Sequence, residues 1–194
     1  MLFGNFKSRL AIRRPERERV RLVVSSVGGS FLSLMLIGAL TRVFFPQDEP
    51  LLLMASFGSS AILIFTVPEL LTAQPWPAVT GHVIAAMCGV FIRENLGLPH
   101  FAAVALAVSL SLFLMFLTAS LHPPAGGTAI MALNGDGQLA DLGYGLAFFP
   151  MASGMILLVA LAALWLRLVA GRSYPVRRSY RVVEAQKDKP DEGL

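Results

Sequence analysis

Charged side chains are scarce in this chain of 194 residues, at 14% of the sequence. Soluble domains usually carry about 25%. Hydrophobic residues make up 55% of the chain, and the mean hydropathy is +0.66. Only two basic residues, Arg42 and Arg93, lie between residues 22 and 166. This shortage of charge excludes an ordinary soluble domain and predicts a protein that spans a lipid bilayer.

Thiols and imidazoles are also few, and they are scattered. Cys88 is the single cysteine, so the chain cannot form an intramolecular disulfide, and one thiol makes no metal site. The three histidines, at 82, 100 and 122, show no ligand spacing. A Ser–His–Asp pattern, a phosphate-binding loop and a dinucleotide fingerprint are all missing from the sequence. The sequence therefore predicts neither an enzyme nor a protein that holds a metal or a cofactor.

The basic residues concentrate at the two ends of the chain. Residues 1–21 hold seven of the sixteen Lys and Arg, and residues 167–194 hold another seven. The sequence pI of 9.7 does not indicate nucleic-acid binding, because the flanks carry no recognisable nucleic-acid motif and basic flanks also contact anionic lipid. Basic flanks of spanning segments stay in the cytoplasm, so both termini are expected there and the number of crossings is even.

Three regions are predicted: a basic cytoplasmic N-terminal segment (1–21), a transmembrane domain (22–170) and a charged, mobile cytoplasmic tail (171–194). The first apolar stretch is too long for a cleaved signal and reads as a retained anchor. Six hydrophobic segments lie at 22–43, 51–67, 78–92, 101–119, 124–133 and 144–170. Since a perpendicular span needs about 20 residues, either all six cross, or four cross with 51–67 among them and the other segments are re-entrant. The predicted fold is an all-α polytopic bundle with short or broken, re-entrant helices.

One stretch departs from the pattern of a spanning helix. Residues 120–130, SLHPPAGGTAI, follow the uncharged apolar run at 101–119. Proline removes a backbone donor, and glycine lowers helix stability. Within a bilayer, broken backbone is tolerated only where protein or a water-filled cavity surrounds it. The stretch therefore predicts a place where the membrane interior is lined for a solute.

The composition of this stretch indicates a helix start that favours an anion. Proline is tolerated in the first turn of a helix, and the free amides of such a start carry about half a positive charge. Glycines let a small anion approach these amides. Neighbouring hydroxyls donate further hydrogen bonds, and a histidine adds a donor and, when protonated, a positive charge. The predicted substrate-binding residues are His122, Pro123, Pro124, Gly126, Gly127, Thr128, Ser59, Ser60, Thr80 and His82.

Several of these features have a second interpretation. His82, alone on an apolar face, is also typical of a hydrogen-bonded core histidine. Glu69, beside Pro68, serves either a proton pathway or a helix end. Since a helix break can serve packing alone, the alternative to a transporter is a non-transporting membrane scaffold or sensor module.

A weak internal repeat bears on the same choice. Residues 71–86 align without gaps on residues 117–132, with seven matches in sixteen positions. In so biased a composition this is either chance similarity or the mark of two proline–glycine helix starts in equivalent positions. Paired interruptions of that kind point to a transporter site.

Two blocks of the sequence resemble the HPP family of integral membrane proteins. The first block is His122-Pro123-Pro124 followed by AGGTA, and the second is ASFGSSAILIF at 55–65, PE at 68–69 and AQPWPAVTGH at 73–82. The blocks stand in the family's order and cover about residues 55–134. Trp76-Pro77 replaces the Arg-Asn that the family usually has after AQP, so no charged contact is expected from that position.

The resemblance implies a small polytopic protein whose plant and cyanobacterial relatives are associated with nitrite transport, in plants at the chloroplast. With the helix-start argument, it predicts a transporter or channel for a small inorganic anion, nitrite first. Basic termini without a transit peptide predict a multi-pass protein of the bacterial inner membrane. Glycine- and serine-rich helix faces predict a homo-oligomer, with the bilayer and the anion as its other partners.

Overall fold

The structure is a computed structural model that describes residues 16–46, 51–135 and 137–176. Within these ranges the chain forms seven α-helices, four short 3-10 or π-helical turns and no strand. The helices are α1 (Glu16–Phe44), α2 (Leu51–Thr66), α3 (Pro75–Asn95), α4 (His100–Leu117), α5 (Ala125–Asn134), α6 (Gly137–Asp141) and α7 (Ser153–Trp165). The turns are Leu71–Ala73, Gly143–Ala147, Phe148–Ala152 and Leu166–Ala170. The predicted all-α fold is confirmed.

In the part of the chain that the structure describes, four helical stretches are long and apolar enough to cross a membrane, and α2, which covers the segment predicted at 51–67, is too short to be one of them. The four stretches are Val20–Phe44, Pro75–Asn95, His100–Leu117 and Gly143–Ala170. Helix α5 has only 10 residues, about half of what a span needs, as the sequence predicts. The prediction for 78–92 is wrong, because α3 has 21 residues. Pro75 and Pro77 lie in its first turn, where a missing amide hydrogen is no loss, so the helix begins before the apolar run.

The helices differ in how deeply they are buried. In the most apolar 18-residue stretch of α3, 56% of the residues are buried. The corresponding share is 22% in α1 and 22% in α4. Alanines on α3, α4 and α5, such as Ala85, Ala107 and Ala129, are fully buried, which lets neighbouring backbones approach closely. Helix α3 therefore lies at the centre of the bundle, and α1 and α4 present large apolar side chains to lipid.

Contacts between distant residues define the two ends of the bundle. At one end, Arg21 near the start of α1 donates to the carbonyl of Val169 at 3.3 Å. At the other, Phe44 at the end of α1 meets Phe149, with ring centroids 5.2 Å apart. The start of α1 and the last helical turn, Leu166–Ala170, therefore lie at the same end of the bundle. We call this end the terminal end. That the terminal end faces the cytoplasm stays a prediction.

The segment after the last helix stays packed on the bundle. Arg172 pairs with Glu69 at 2.6 Å, and the buried hydroxyl of Tyr174 donates to the carbonyl of Ala73 at 2.8 Å. The mobile tail expected from Arg172 onward is therefore wrong for residues 172–176, which cover the loop before α3. Most of the predicted N-terminal segment and of the tail (1–15 and 177–194) lies outside the described residues.

Replacing Tyr174 tests this docked segment. Burial raises the pKa of the Tyr174 phenol far above its usual range, so it stays a donor at physiological pH. Tyr174→Phe should lower the free energy of unfolding by about 1 kcal/mol, the net contribution of one hydrogen bond. Thermal melting in detergent measures the loss, with the half-exposed Tyr144→Phe as the matched control. Equal melting of the two variants would contradict the docking.

Candidate functional site

Five polar side chains meet inside the bundle near the terminal end. They are Ser56 and Ser60 on α2, His82 on α3, His122 on the turn before α5, and Thr128 on α5. Ser56 is 2% exposed, and the other four are fully buried. Ser56 and Ser60 share a face because residues four apart on a helix are neighbours. We call these five side chains the His–hydroxyl cluster.

Hydrogen bonds connect the whole His–hydroxyl cluster. They run from Ser56 Oγ to Thr128 Oγ1 at 2.6 Å, Thr128 Oγ1 to His82 Nδ1 at 2.6 Å, His82 Nε2 to Ser60 Oγ at 2.9 Å, and Ser60 Oγ to His122 Nε2 at 3.0 Å. The other ring nitrogen of His122, Nδ1, lies 2.6 Å from the carbonyl oxygen of Thr72. The chain of contacts therefore leads from the α2–α5 contact to the loop that precedes α3.

The carbonyl of Thr72 determines the direction of these hydrogen bonds. A carbonyl only accepts, so His122 Nδ1 carries a hydrogen, and in a neutral ring His122 Nε2 accepts from Ser60. Ser60 has one hydrogen, so it accepts from His82 Nε2–H, and His82 Nδ1 accepts from Thr128. The hydroxyl of Ser56 then donates to Thr128 Oγ1. With both rings neutral, every donor points toward the Thr72 carbonyl.

The His–hydroxyl cluster carries no acidic side chain. Among the described residues, no carboxylate lies within ion-pair distance of either ring, since Glu69 pairs with Arg172 and Glu94 with Arg93. Every buried side-chain nitrogen and oxygen in the described part of the chain has a hydrogen-bond partner. The structure therefore holds the cluster closed and internally satisfied. A charge placed on it would be expensive without a counter-ion.

Two glycines of α3 bring α5 and its preceding turn close enough to form the cluster. A Cβ at Gly81 would lie 3.0 Å from both His122 Cβ and the carbonyl oxygen of Ser120. A Cβ at Gly89 would overlap the carbonyl oxygen of Ala129. Side chains at these two positions would push α5 away from α3, so the glycines set the distance between the two histidines.

The start of α5 does not offer the free amides that the sequence predicts. Pro123 and Pro124 have no amide hydrogen. The amides of Ala125, Gly126 and Gly127 donate to the carbonyls of residues 122, 123 and 124 at 2.9, 3.1 and 3.1 Å. The turn before α5 tightens into bonds between residues three apart, which use the amides locally. In this structure the amides at 125–127 therefore bond within the turn, and an anion site made of them stays a prediction.

The structure brings together four of the predicted side chains, Ser60, His82, His122 and Thr128. Pro124 takes part only through its carbonyl oxygen, which lies 3.4 Å from Ser56 Oγ. The remaining predicted residues stay outside the hydrogen-bonded chain: Ser59, Thr80, Pro123, Gly126 and Gly127. Ser59 is exposed and donates back to the carbonyl of Ala55 at 3.0 Å. A Cβ at Gly127 would lie 3.8 Å from Ser56 Oγ, an ordinary contact. The glycines that let a neighbouring helix approach closely lie on α3 instead.

Three groups that help to form the His–hydroxyl cluster were not predicted from the sequence. Ser56 lies one helical turn before Ser60, and that spacing was a signal for it. Gly81 directly precedes His82, but its role depends on the position of α5. The carbonyl of Thr72 has no sequence signal, because any residue type supplies a backbone oxygen.

The internal repeat is only partly reflected in the structure. Helix α3 begins at Pro75, two residues before the aligned Pro77, whereas α5 begins two residues after Pro123. The two helix starts are therefore four residues out of register, and equivalent starts are not formed. The aligned pair His82 and Thr128, however, are direct hydrogen-bond partners at 2.6 Å.

A separate cavity of about 180 Å³ lies toward the opposite end of the bundle. Apolar side chains of α1, α2 and the last helical stretch line it, among them Phe44, Phe57 and Phe149. Phe57 also lies against His82, with ring centroids 6.1 Å apart. One buried aromatic side chain therefore contacts both the cavity and the His–hydroxyl cluster.

Comparison with known proteins places the chain among membrane proteins. The family described as HPP, transmembrane region, matches residues 15–175. One curated transmembrane protein of Dictyostelium discoideum is 33% identical over 168 residues, 83% of this chain and 54% of the relative. Another is 39% identical over 127 residues, 64% of this chain and 44% of the relative. The chain spans about half the length of these relatives, and no solved structure matches it.

Proposed function

The chain belongs to the HPP transmembrane family, and we propose that it transports a small inorganic anion, nitrite first, across the membrane. The observation that carries the proposal is the buried His–hydroxyl cluster. It collects three hydroxyls and two imidazoles, all groups able to donate, in the buried interior of an apolar bundle. Placing polar groups inside a membrane costs free energy, so their presence there points to a role in a solute pathway or in binding a partner.

The donors of the cluster suit an anion better than a cation. Hydroxyl and imidazole N–H groups donate to an anion, whereas a cation needs oxygen ligands such as carboxylates. In the closed state the donors satisfy one another. Opening the contact between α2 and α5 at Ser56 and Thr128 would turn these hydroxyls toward a solute. The cluster contains no permanently charged lysine or arginine side chain, so the anion can leave again.

The surroundings of the cluster supply a route. The apolar cavity reaches Phe57 from the opposite end, and Phe57 contacts His82. On the other side, His122 bonds to the loop that precedes α3 at the terminal end. Transport would then require Phe57 to move on one side and this loop on the other.

Nitrite uptake into proteoliposomes tests the proposal. We expect purified protein to raise the initial rate of nitrite entry above that of empty liposomes. Empty liposomes are the essential control, because undissociated nitrous acid crosses lipid by itself. Uptake equal to that of empty liposomes, with protein that is folded and correctly inserted, would contradict nitrite transport.

One observation favours a second function, that of a non-transporting membrane scaffold or sensor. The cluster is completely satisfied in the described residues, as a structural polar network would be. A scaffold would show no uptake of any small anion, and removal of a cluster hydroxyl would change only stability.

The remaining expectations about the whole protein are part of the proposal. We place it in the bacterial inner membrane, with both termini in the cytoplasm, on the strength of its basic flanks. The transmembrane relatives come from Dictyostelium discoideum, so the match itself does not select that membrane. A homo-oligomer is supported by the exposed apolar surface of α1, which a second copy or lipid would cover. An enzymatic role, a metal and a cofactor are not part of the proposal.

A further inference from the structure

The two histidines of the cluster share one hydroxyl. Ser60 Oγ lies 2.9 Å from His82 Nε2 and 3.0 Å from His122 Nε2, and the two ring centroids are 5.2 Å apart. Two imidazoles bridged by a hydroxyl form a short path for a proton. We propose that this pair carries one proton with each anion, so that the protein is a proton–anion symporter; the inference rests on the anion transport proposed above.

The proton step balances within the cluster. A hydronium ion gives its proton to His82 Nδ1: the N–H bond forms as an O–H bond of the hydronium breaks and leaves water. The Nε2–H bond of His82 breaks as its proton bonds to Ser60 Oγ, and the original Oγ–H bond of Ser60 breaks as that proton bonds to His122 Nε2. The products are a neutral His82 with its hydrogen on Nδ1 and an imidazolium at His122. Nothing is oxidised or reduced, and the solvent proton is the only reactant consumed.

The hydroxyls of the cluster can follow this change. In the product, His82 Nδ1–H donates to Thr128 Oγ1, the Thr128 hydrogen turns to Ser56 Oγ, and the Ser56 hydrogen turns to the carbonyl oxygen of Pro124 at 3.4 Å. Ser60 donates to His82 Nε2 while it accepts from His122. The carbonyl of Ser56, 3.1 Å from Ser60 Oγ, is a second acceptor to which the Ser60 hydrogen can turn. His122 Nδ1–H keeps its bond to the loop carbonyl in both states. The pair therefore moves a charge toward the terminal end without breaking the cluster.

The proton creates the need for an anion. An imidazolium buried among apolar helices is costly without a counter-ion. Among the described residues, the polar side chains that α2 and α5 present to the rings are hydroxyls, and no carboxylate lies within ion-pair distance. The charged and titratable groups of the adjoining loop and segment are used elsewhere: Glu69 pairs with Arg172, and Tyr174 donates to Ala73. A small anion is therefore the counter-ion that the protonated pair lacks.

The separation of the rings limits the pair to one proton. Two imidazolium charges 5.2 Å apart would repel strongly in a medium of low dielectric constant. One proton and one monovalent anion carry no net charge. Symport with this stoichiometry is electroneutral, which distinguishes it from anion uniport.

Wild-type protein in liposomes with an internal pH dye tests the stoichiometry directly. A nitrite gradient is applied with the membrane potential clamped by potassium and valinomycin. We expect one proton to enter per nitrite above the level of empty liposomes. A potential of 100 mV should leave the nitrite accumulation ratio unchanged, whereas a uniporter would shift it about fifty-fold, the equivalent of one charge crossing that potential.

Each other outcome has a definite meaning. Nitrite entry above empty liposomes without protons, or with the fifty-fold response to potential, overturns the symport and leaves anion transport standing. No nitrite entry above empty liposomes overturns both.

His122→Asn tests the residue assignment, with His100→Asn as the matched control. An asparagine amide can still donate to the Thr72 carbonyl, but it cannot accept the proton. We expect one unit of outside acidification to raise wild-type uptake by up to about tenfold, the change in proton concentration. His100, exposed at the start of α4, should behave as wild type, and His122→Asn should lose the response. An unchanged response in His122→Asn overturns the relay, and if that variant does not fold, the wild-type stoichiometry decides.

Discussion

Gly89→Ala is expected to destabilise the protein more than any other single methyl addition to α3. The added Cβ would overlap the carbonyl oxygen of Ala129 and lie 2.7 Å from Ala132 Cβ. The contacted atoms include the backbone of α5, which cannot swing aside as the end of a flexible side chain can. Overpacking of this kind costs about 1–3 kcal/mol, and sometimes more. Thermal melting and the yield of monodisperse protein in detergent measure the effect.

Gly58→Ala is the matched control for this variant. Gly58 is also a helical glycine, but a Cβ there would meet nothing within 4 Å. Alanine is favoured over glycine inside a helix by up to about 1 kcal/mol. Gly58→Ala should therefore melt at or above the wild-type temperature. If Gly89→Ala melts with it, the close contact between α3 and α5 is wrong.

Ser60→Ala is expected to lower nitrite uptake by at least about tenfold, the equivalent of one lost hydrogen bond of 1.4 kcal/mol. The substitution removes the only hydroxyl among the described residues that touches both His82 and His122. It leaves one ring nitrogen of each buried histidine without a partner, which costs about 1–3 kcal/mol per group. The proton path between the rings is interrupted at the same time. Uptake and melting should be measured on the same preparation.

Ser59→Ala separates the role of the cluster from a general effect of losing a serine on α2. The hydroxyl of Ser59 is exposed and bonds only to its own helix at Ala55. We expect Ser59→Ala to keep the wild-type rate of uptake. Equal losses in Ser59→Ala and Ser60→Ala would show that the His–hydroxyl cluster is not the site.

The helices that face lipid could be predicted best from the sequence. For α4, the apolar run at 101–119 and the observed His100–Leu117 agree within two residues at each end. Lipid exposure requires an unbroken apolar surface, so hydropathy alone outlines such a helix. Helix α3 was predicted too short, because Pro75 and Pro77 mark a loop in a hydropathy pattern but also suit a helix start. The structure resolves this ambiguity in favour of the helix.

The site could be predicted only where its chemistry resides in side chains. His122 was predicted because it adjoins backbone that cannot be regular helix, and Thr128 because its hydroxyl can donate a further hydrogen bond. The free amides were predicted wrongly, because whether a helix start bonds to the preceding turn depends on backbone geometry that composition does not determine. The part played by Gly81 follows from packing between helices, which is a property of the assembled bundle.

The most direct test of the His–hydroxyl cluster as the anion site is the nitrogen NMR spectrum of the imidazole rings in lipid nanodiscs. The chain has three histidines, and exposed His100 serves as an internal control. Sodium nitrite is added in steps, and sodium chloride at the same concentrations corrects for ionic strength. The signals of His82 and His122 should shift together with one midpoint, while the signal of His100 should not shift. Unchanged His82 and His122 signals, at nitrite concentrations that saturate uptake, would contradict it.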